Sequence, residues 1–164
     1  MTNPLKAIYS YLLMLKASKY QGKSDFHEVI EIAERARAIN PRSRLALLFL
    51  GDDYYRIGEY DRAVEVLEEA LRLYPKEFHY NLLMAMSLAK KKEPGSKIVP
   101  FLRTYLNEKP SGASQFPMFV KVLMRILRKG ADLDSYAEYI DDWSDRRAAW
   151  AESVVAEYER QQEG

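Results

Sequence analysis

The run Leu47–Pro75, LLFLGDDYYRIGEYDRAVEVLEEALRLYP, restricts the folds open to this chain more than any other stretch. Leu47, Leu50 and Tyr54 recur at i, i+3 and i+7, which is one face of a helix. Gly51 offers no side chain on that face, so a second helix can approach its backbone closely. Gly58 stands where the first helix stops, a position that favours a left-handed residue. Glu59 and Asp61 open the second helix and suit its positive end. Ala63, Leu67 and Ala70 form the apolar face of that helix, and Pro75 cannot continue it. One helical hairpin of this size cannot bury its apolar face alone, so several must stack.

This order of residues resembles the tetratricopeptide repeat, whose pattern is W-x2-L-G-x2-Y, then A-x3-F, then Pro. Leu50-Gly51, Tyr54, Gly58, Tyr60, Ala63, Ala70 and Pro75 follow the pattern, while Leu47 replaces the Trp and Leu67 the Phe. The resemblance implies an all-α solenoid of three to four helical hairpins with a C-terminal capping helix. Pro41 lies 34 residues before Pro75, the period of the family. The expected units are residues 10–43, 44–77, 78–111 and 112–143, with a final helix at about 145–161, all in a single domain.

In the first unit Phe26, Val29, Ala33 and Ala36 match Tyr60, Ala63, Leu67 and Ala70, and Leu13 and Tyr20 match Leu47 and Tyr54. Lys16 and Ala17 replace the Leu-Gly pair, as befits a first helix with no upstream neighbour. In the third unit a helix is expected over Phe78–Lys91 and another from Ser96, read as its N-cap, to Asn107. Pro100 is tolerable only near the first turn, so the start of that helix is expected to slip or kink. In the fourth, Phe119, Val122-Leu123, Ile126 and Gly130 echo the strong repeat. Beyond Gly130 two helices are expected with a break near Ser144; the alternative is one long helix, since no Gly or Pro separates them.

A net charge of +1 gives no global pull toward nucleic acid or an anionic membrane. Charge is uneven along the chain: residues 78–130 hold 10 Lys/Arg against 2 Asp/Glu, and residues 131–164 hold 3 against 10. Either two solvated faces differ in sign, or the acidic C-terminal helices shield the basic units. Basic clusters at Lys90–Lys92 and at Arg125, Arg128 and Lys129 suit phosphate, but the near-zero total charge and the acidic C terminus argue against nucleic acid. The absence of Cys excludes disulfides, thiolate metal sites and a Cys nucleophile. The apolar run Ile8–Leu15 is too short for a membrane span and is not followed by a clear cleavage site. A soluble, cytoplasmic chain is expected.

His27 and His79 lie in no metal or catalytic motif, and no phosphate-cradling glycine loop or nucleophile elbow is present. The pairs Asp52-Asp53 and Asp141-Asp142 are adjacent, and adjacent helical residues do not converge. The expectation is a protein that is not an enzyme and needs no cofactor or metal.

The family resemblance implies that stacked first helices line a concave groove. Its positions fall on Tyr11, Met14 and Ser18, then on Leu45, Leu48, Asp52, Tyr55 and Arg56, then on His79, Leu82, Met86 and Lys90, then on Val120, Met124 and Leu127. Most are apolar, aromatic or Met, and an exposed stripe of that kind marks a binding surface. The carboxylate clamp of chaperone-adaptor members needs Lys and Asn where this chain has Met14, Ser18, Phe49, His79 and Leu83, so acidic chaperone tails are not the expected ligand. The expected function is an adaptor or chaperone-like scaffold that binds an apolar or amphipathic protein segment, with Asp52, Arg56 and Lys90 setting its direction. Two alternatives stand beside it. Trp150, Val154 and Tyr158 of the C-terminal helix fill the groove, or groove and helix make homo-oligomer contacts.

Overall fold

The computed structural model describes residues 3–21, 25–108 and 133–163, the side chains of Lys19, Gln21 and residues 133–144 apart, and seven helices lie among these described residues. They are α1 (Pro4–Gln21), α2 (Phe26–Ile39), α3 (Arg44–Arg56), α4 (Tyr60–Leu73), α5 (Phe78–Lys90), α6 (Gly95–Glu108) and α7 (Leu133–Glu163). No strand occurs among the described residues. Each helix from α1 to α6 packs on the next, and α6 packs on α7. The fold is a helical-repeat solenoid of the tetratricopeptide type. The first helices also touch, α1 with α3 and α3 with α5, whereas the second helices lie further apart. The array therefore curves with its first helices on the inside.

Leu47, Leu50, Tyr54, Ala63, Leu67 and Ala70 are all fully buried in one continuous core. The close approach expected at Gly51 is present: a Cβ there would sit 2.7 Å from Cδ2 of Leu67. Asp25 caps α2 by accepting from the Glu28 amide at 3.4 Å, and Ser43 caps α3 by accepting from Ala46 at 3.4 Å. The Tyr80 hydroxyl donates to the Arg44 carbonyl at 2.8 Å, and that of Tyr74 to the Arg42 carbonyl at 2.7 Å. These two bonds latch the turn between α4 and α5 onto the turn before α3. Arg37 of α2 pairs with Glu69 of α4, which ties neighbouring second helices.

The hairpin turns repeat in backbone detail. Gly58 has φ +82°, and the amides of Gly58 and Glu59 donate to the carbonyls of Tyr55 and Tyr54. One period later Lys92 has φ 59°, and the amides of Lys92 and Glu93 donate to Ala89 and Leu88. Both ends are the same left-handed helix stop. A lysine pays a steric penalty there that glycine avoids. Lys92→Gly is therefore expected to raise stability by about 0.5–1 kcal/mol, read as a higher midpoint in urea denaturation.

Expectations for α6 and α7 are corrected here. Ser96 does not cap α6: the helix begins at Gly95, and the Lys97 amide donates to the Pro94 carbonyl at 2.9 Å. Pro100 is the sixth residue of α6 and lies within it. The break expected near Ser144 is absent, and α7 runs unbroken for 31 residues. Nothing in its sequence stops a helix, as Leu133–Glu163 contains neither Gly nor Pro. The expected first helix of a fourth unit, with Phe119, Val120, Met124, Leu127 and Gly130, lies outside the described residues.

Candidate protein-interaction surface

Residues Leu48, Asp52 and Tyr55 recur at i, i+4 and i+7 of α3, so they share one face of that helix. Met86, Ala89 and Lys90 share the corresponding face of α5. From the C-terminal side, α7 brings Arg146, Arg147 and Trp150. Together Tyr55, Met86, Ala89, Lys90, Arg146, Arg147 and Trp150 line an open pocket of about 480 Å³. Its walls are aromatic and aliphatic, and its charged lining residues are all cations. Tyr55 is set by its ring contact with Tyr60, centroids 5.6 Å apart.

At the margin Arg56 Nε donates to Asp52 Oδ2 at 2.7 Å, and its guanidinium lies 5.6 Å from the Phe26 ring centroid. Arg147 is the most perturbed cation of the site. Burial pushes its guanidinium down to about 10, and Arg56 acts in the same direction, while the carboxylate of Asp52 opposes both. Further along α5, the hydrogen bond with His79 holds the Glu77 carboxyl below its usual range, against the effect of burial; Nδ1 and Oε1 are 3.5 Å apart. The His79 ring also stacks on Phe78, with centroids 3.9 Å apart. Among the described residues no three His, Asp or Glu side chains gather as a metal-binding set.

The residues expected to line a groove have separate fates. Tyr55, Met86 and Lys90 meet in the pocket. Leu45, Leu48, Asp52 and His79 are half-buried, Arg56 is exposed, and Tyr11 is exposed on α1. Met14 and Leu82 do not face an open groove, since they are 1% and 3% exposed and belong to the core. The cause is the contact between successive first helices, which covers the inward positions of α1 and α5. Met124 lies outside the described residues. Of the three α7 side chains named in the alternative of a filled groove, Trp150 lines this pocket, whereas Val154 and Tyr158 are not among its lining residues. Arg146 and Arg147 were named in no expectation, although an Arg pair in a stretch of otherwise acidic charge was a signal.

The rest of α7 crosses to α6. Trp150, Val154 and Val155 pack against the core, Tyr158 lies over Gly95, and Arg103 NH2 meets Glu159 Oε1 at 2.6 Å. The acidic helix thus covers part of the basic third unit.

The family model for the tetratricopeptide repeat matches residues 45–77. That stretch is a tetratricopeptide repeat. The tetratricopeptide array as a whole is similar to two solved structures. One is a MamA RS-1 double mutant, with TM-score 0.57 and 16% identity, over 93% of this chain and 76% of that one. The other is a thermophilic TPR protein of Thermus thermophilus, with TM-score 0.58 and 13% identity, over 90% of this chain and 80% of that one. At those identities the likeness is one of fold. Among curated proteins, human intraflagellar transport protein 70A is 35% identical over 65 residues, which is 40% of this chain and 10% of that protein. The chain thus matches only about a tenth of that relative's length. Tetratricopeptide arrays are scaffolds for protein–protein interaction. No helix among the described residues is long and apolar enough to cross a membrane.

Proposed function

We propose that this chain is a non-catalytic protein-interaction scaffold that holds an apolar or amphipathic segment of a partner protein against α3 and α5, with α7 as one wall of the site. The observation that carries this reading is the pocket, in which Tyr55, Met86, Ala89 and Trp150 supply apolar walls and Lys90, Arg146 and Arg147 the charge. A pocket of this make-up orients a mainly apolar ligand through a few polar groups. Met86 adapts its shape to the entering side chain. Leu48 extends the apolar surface along α3, and the Asp52–Arg56 pair marks one end of it. In this reading α7 completes the site and leaves it open to a partner. The test is affinity capture from native lysate by the wild type and by Met86→Glu. Proteins held by the first and lost by the second, with helicity unchanged, support the reading. Identical retention by both overturns it.

A further inference from the structure

The outer face of α1 is apolar, cationic and uncovered. Leu5, Ile8, Tyr9 and Leu12 recur at i, i+3, i+4 and i+7, and they are 72, 56, 51 and 53% exposed. Lys16 continues the stripe by one turn and Lys6 flanks it; α1 carries three Lys and no Asp or Glu. Single exposed leucines are ordinary, but four large apolar side chains on one face form a contiguous patch of the kind that marks an interface. The other first helices do not show such a face, because α2 packs on α3 and α4 packs on α5. At the far end of the described array a helix of opposite charge does the covering. There acidic α7 lies on α6, with Val154 and Val155 inward and Glu159 meeting Arg103.

We propose that the outer face of α1 docks the outer face of α7 from a second copy of this chain. Charge selects this occupant: on the outward side of α7 Asp145, Glu152, Glu157 and Glu163 outnumber Arg146 and Arg160, and α1 is purely cationic. Shape agrees with it. On the side of α7 turned away from its own array, Ala149, Ser153 and Ala156 are exposed at i, i+4 and i+7, flanked by Glu152 and Glu157, with Arg146 and the Glu157-paired Arg160 at the two ends of the stripe. Small residues there let Leu5, Ile8 and Leu12 seat closely, while the glutamates come beside Lys6 and Lys16. Docking α1 on α1 would instead bring lysines of one sign together. Val154 and Val155 stay turned toward α6, on the opposite side of α7 from this contact.

Sedimentation velocity of the full chain over a range of concentrations tests the proposal. The expected result is concentration-dependent self-association. Ile8→Glu, which places a carboxylate in the apolar contact, is expected to raise the dissociation constant roughly tenfold or more. Ala156→Arg, which fills the small-residue face and reverses its charge, is expected to do the same, with helicity retained in both. A wild type that stays monomeric throughout overturns the proposal, as does association indifferent to Ile8→Glu. Association lost in Ile8→Glu but intact in Ala156→Arg removes α7 as the occupant. Cosedimentation of a monomeric wild type with phosphatidylserine-containing vesicles, lost in Ile8→Glu, would assign the face to anionic lipid instead.

Discussion

Leu67→Ala is expected to lower the unfolding free energy by about 2–5 kcal/mol, the cost of a fully buried leucine whose site cannot collapse. Leu67 has no exposed surface and lies in the core shared by the hairpins. Its Cδ2 occupies the space over Gly51, 2.7 Å from where a Cβ would stand. The pair is therefore coupled, and a double-mutant cycle measures the coupling. Alone, Gly51→Ala forces Leu67 aside, at a cost of about 1–3 kcal/mol. The better helix propensity of alanine offsets about 1 kcal/mol of that. In the Leu67→Ala background the overlap is gone, so Gly51→Ala is expected to become neutral or stabilising. Urea denaturation followed by circular dichroism is expected to give an interaction energy of roughly 1–3 kcal/mol between the two sites. Additivity would mean that α3 and α4 do not meet at this point.

Met86→Glu is expected to abolish partner capture while leaving the fold intact. Met86 is half-buried and lines the pocket beside Lys90, Arg146 and Arg147. A carboxylate at this position has cations within the same pocket, so its effect on stability is expected to stay within about 1 kcal/mol. Binding responds differently. An apolar side chain from a partner would have to desolvate the new charge, at a cost of roughly 2 kcal/mol or more, which is a loss above tenfold in affinity. Met86→Leu keeps the apolar volume and is expected to retain capture. Isothermal titration with the captured partner reads both variants. Equal loss in Met86→Leu and Met86→Glu would point to shape rather than polarity.

The strong repeat was legible because each signal in it is local. Gly58 announces a left-handed stop, Gly51 a close approach, and Ala63, Leu67 and Ala70 a packed face, and all of these meet their partners within one hairpin. Lys92 shows the limit of such reading. It takes the same left-handed backbone as Gly58 but carries no composition signal for it. The groove was harder to read, since exposure is set by contacts between repeats. Met14 and Leu82 occupy groove positions in the family pattern and are buried by neighbouring first helices. The contribution of α7 was least legible. Trp150 meets Tyr55 and Met86 in one pocket from more than 60 residues away in sequence, and no periodicity encodes where a capping helix lands. Its continuity through Ser144 followed from the lack of any helix breaker, the weaker of two readings of the same residues.

The most direct test of the scaffold reading is where a partner touches the chain. Benzoylphenylalanine placed at Tyr55, an aromatic replacement within the pocket wall, reports on the proposed site. The same group at Glu65, exposed on α4, reports on the opposite side of the hairpin. After photolysis in native lysate, a partner peptide linked to position 55 and absent from position 65 is the expected result. Crosslinks at position 65 with none at position 55 would contradict it, and would place the interaction on the second helices of the array.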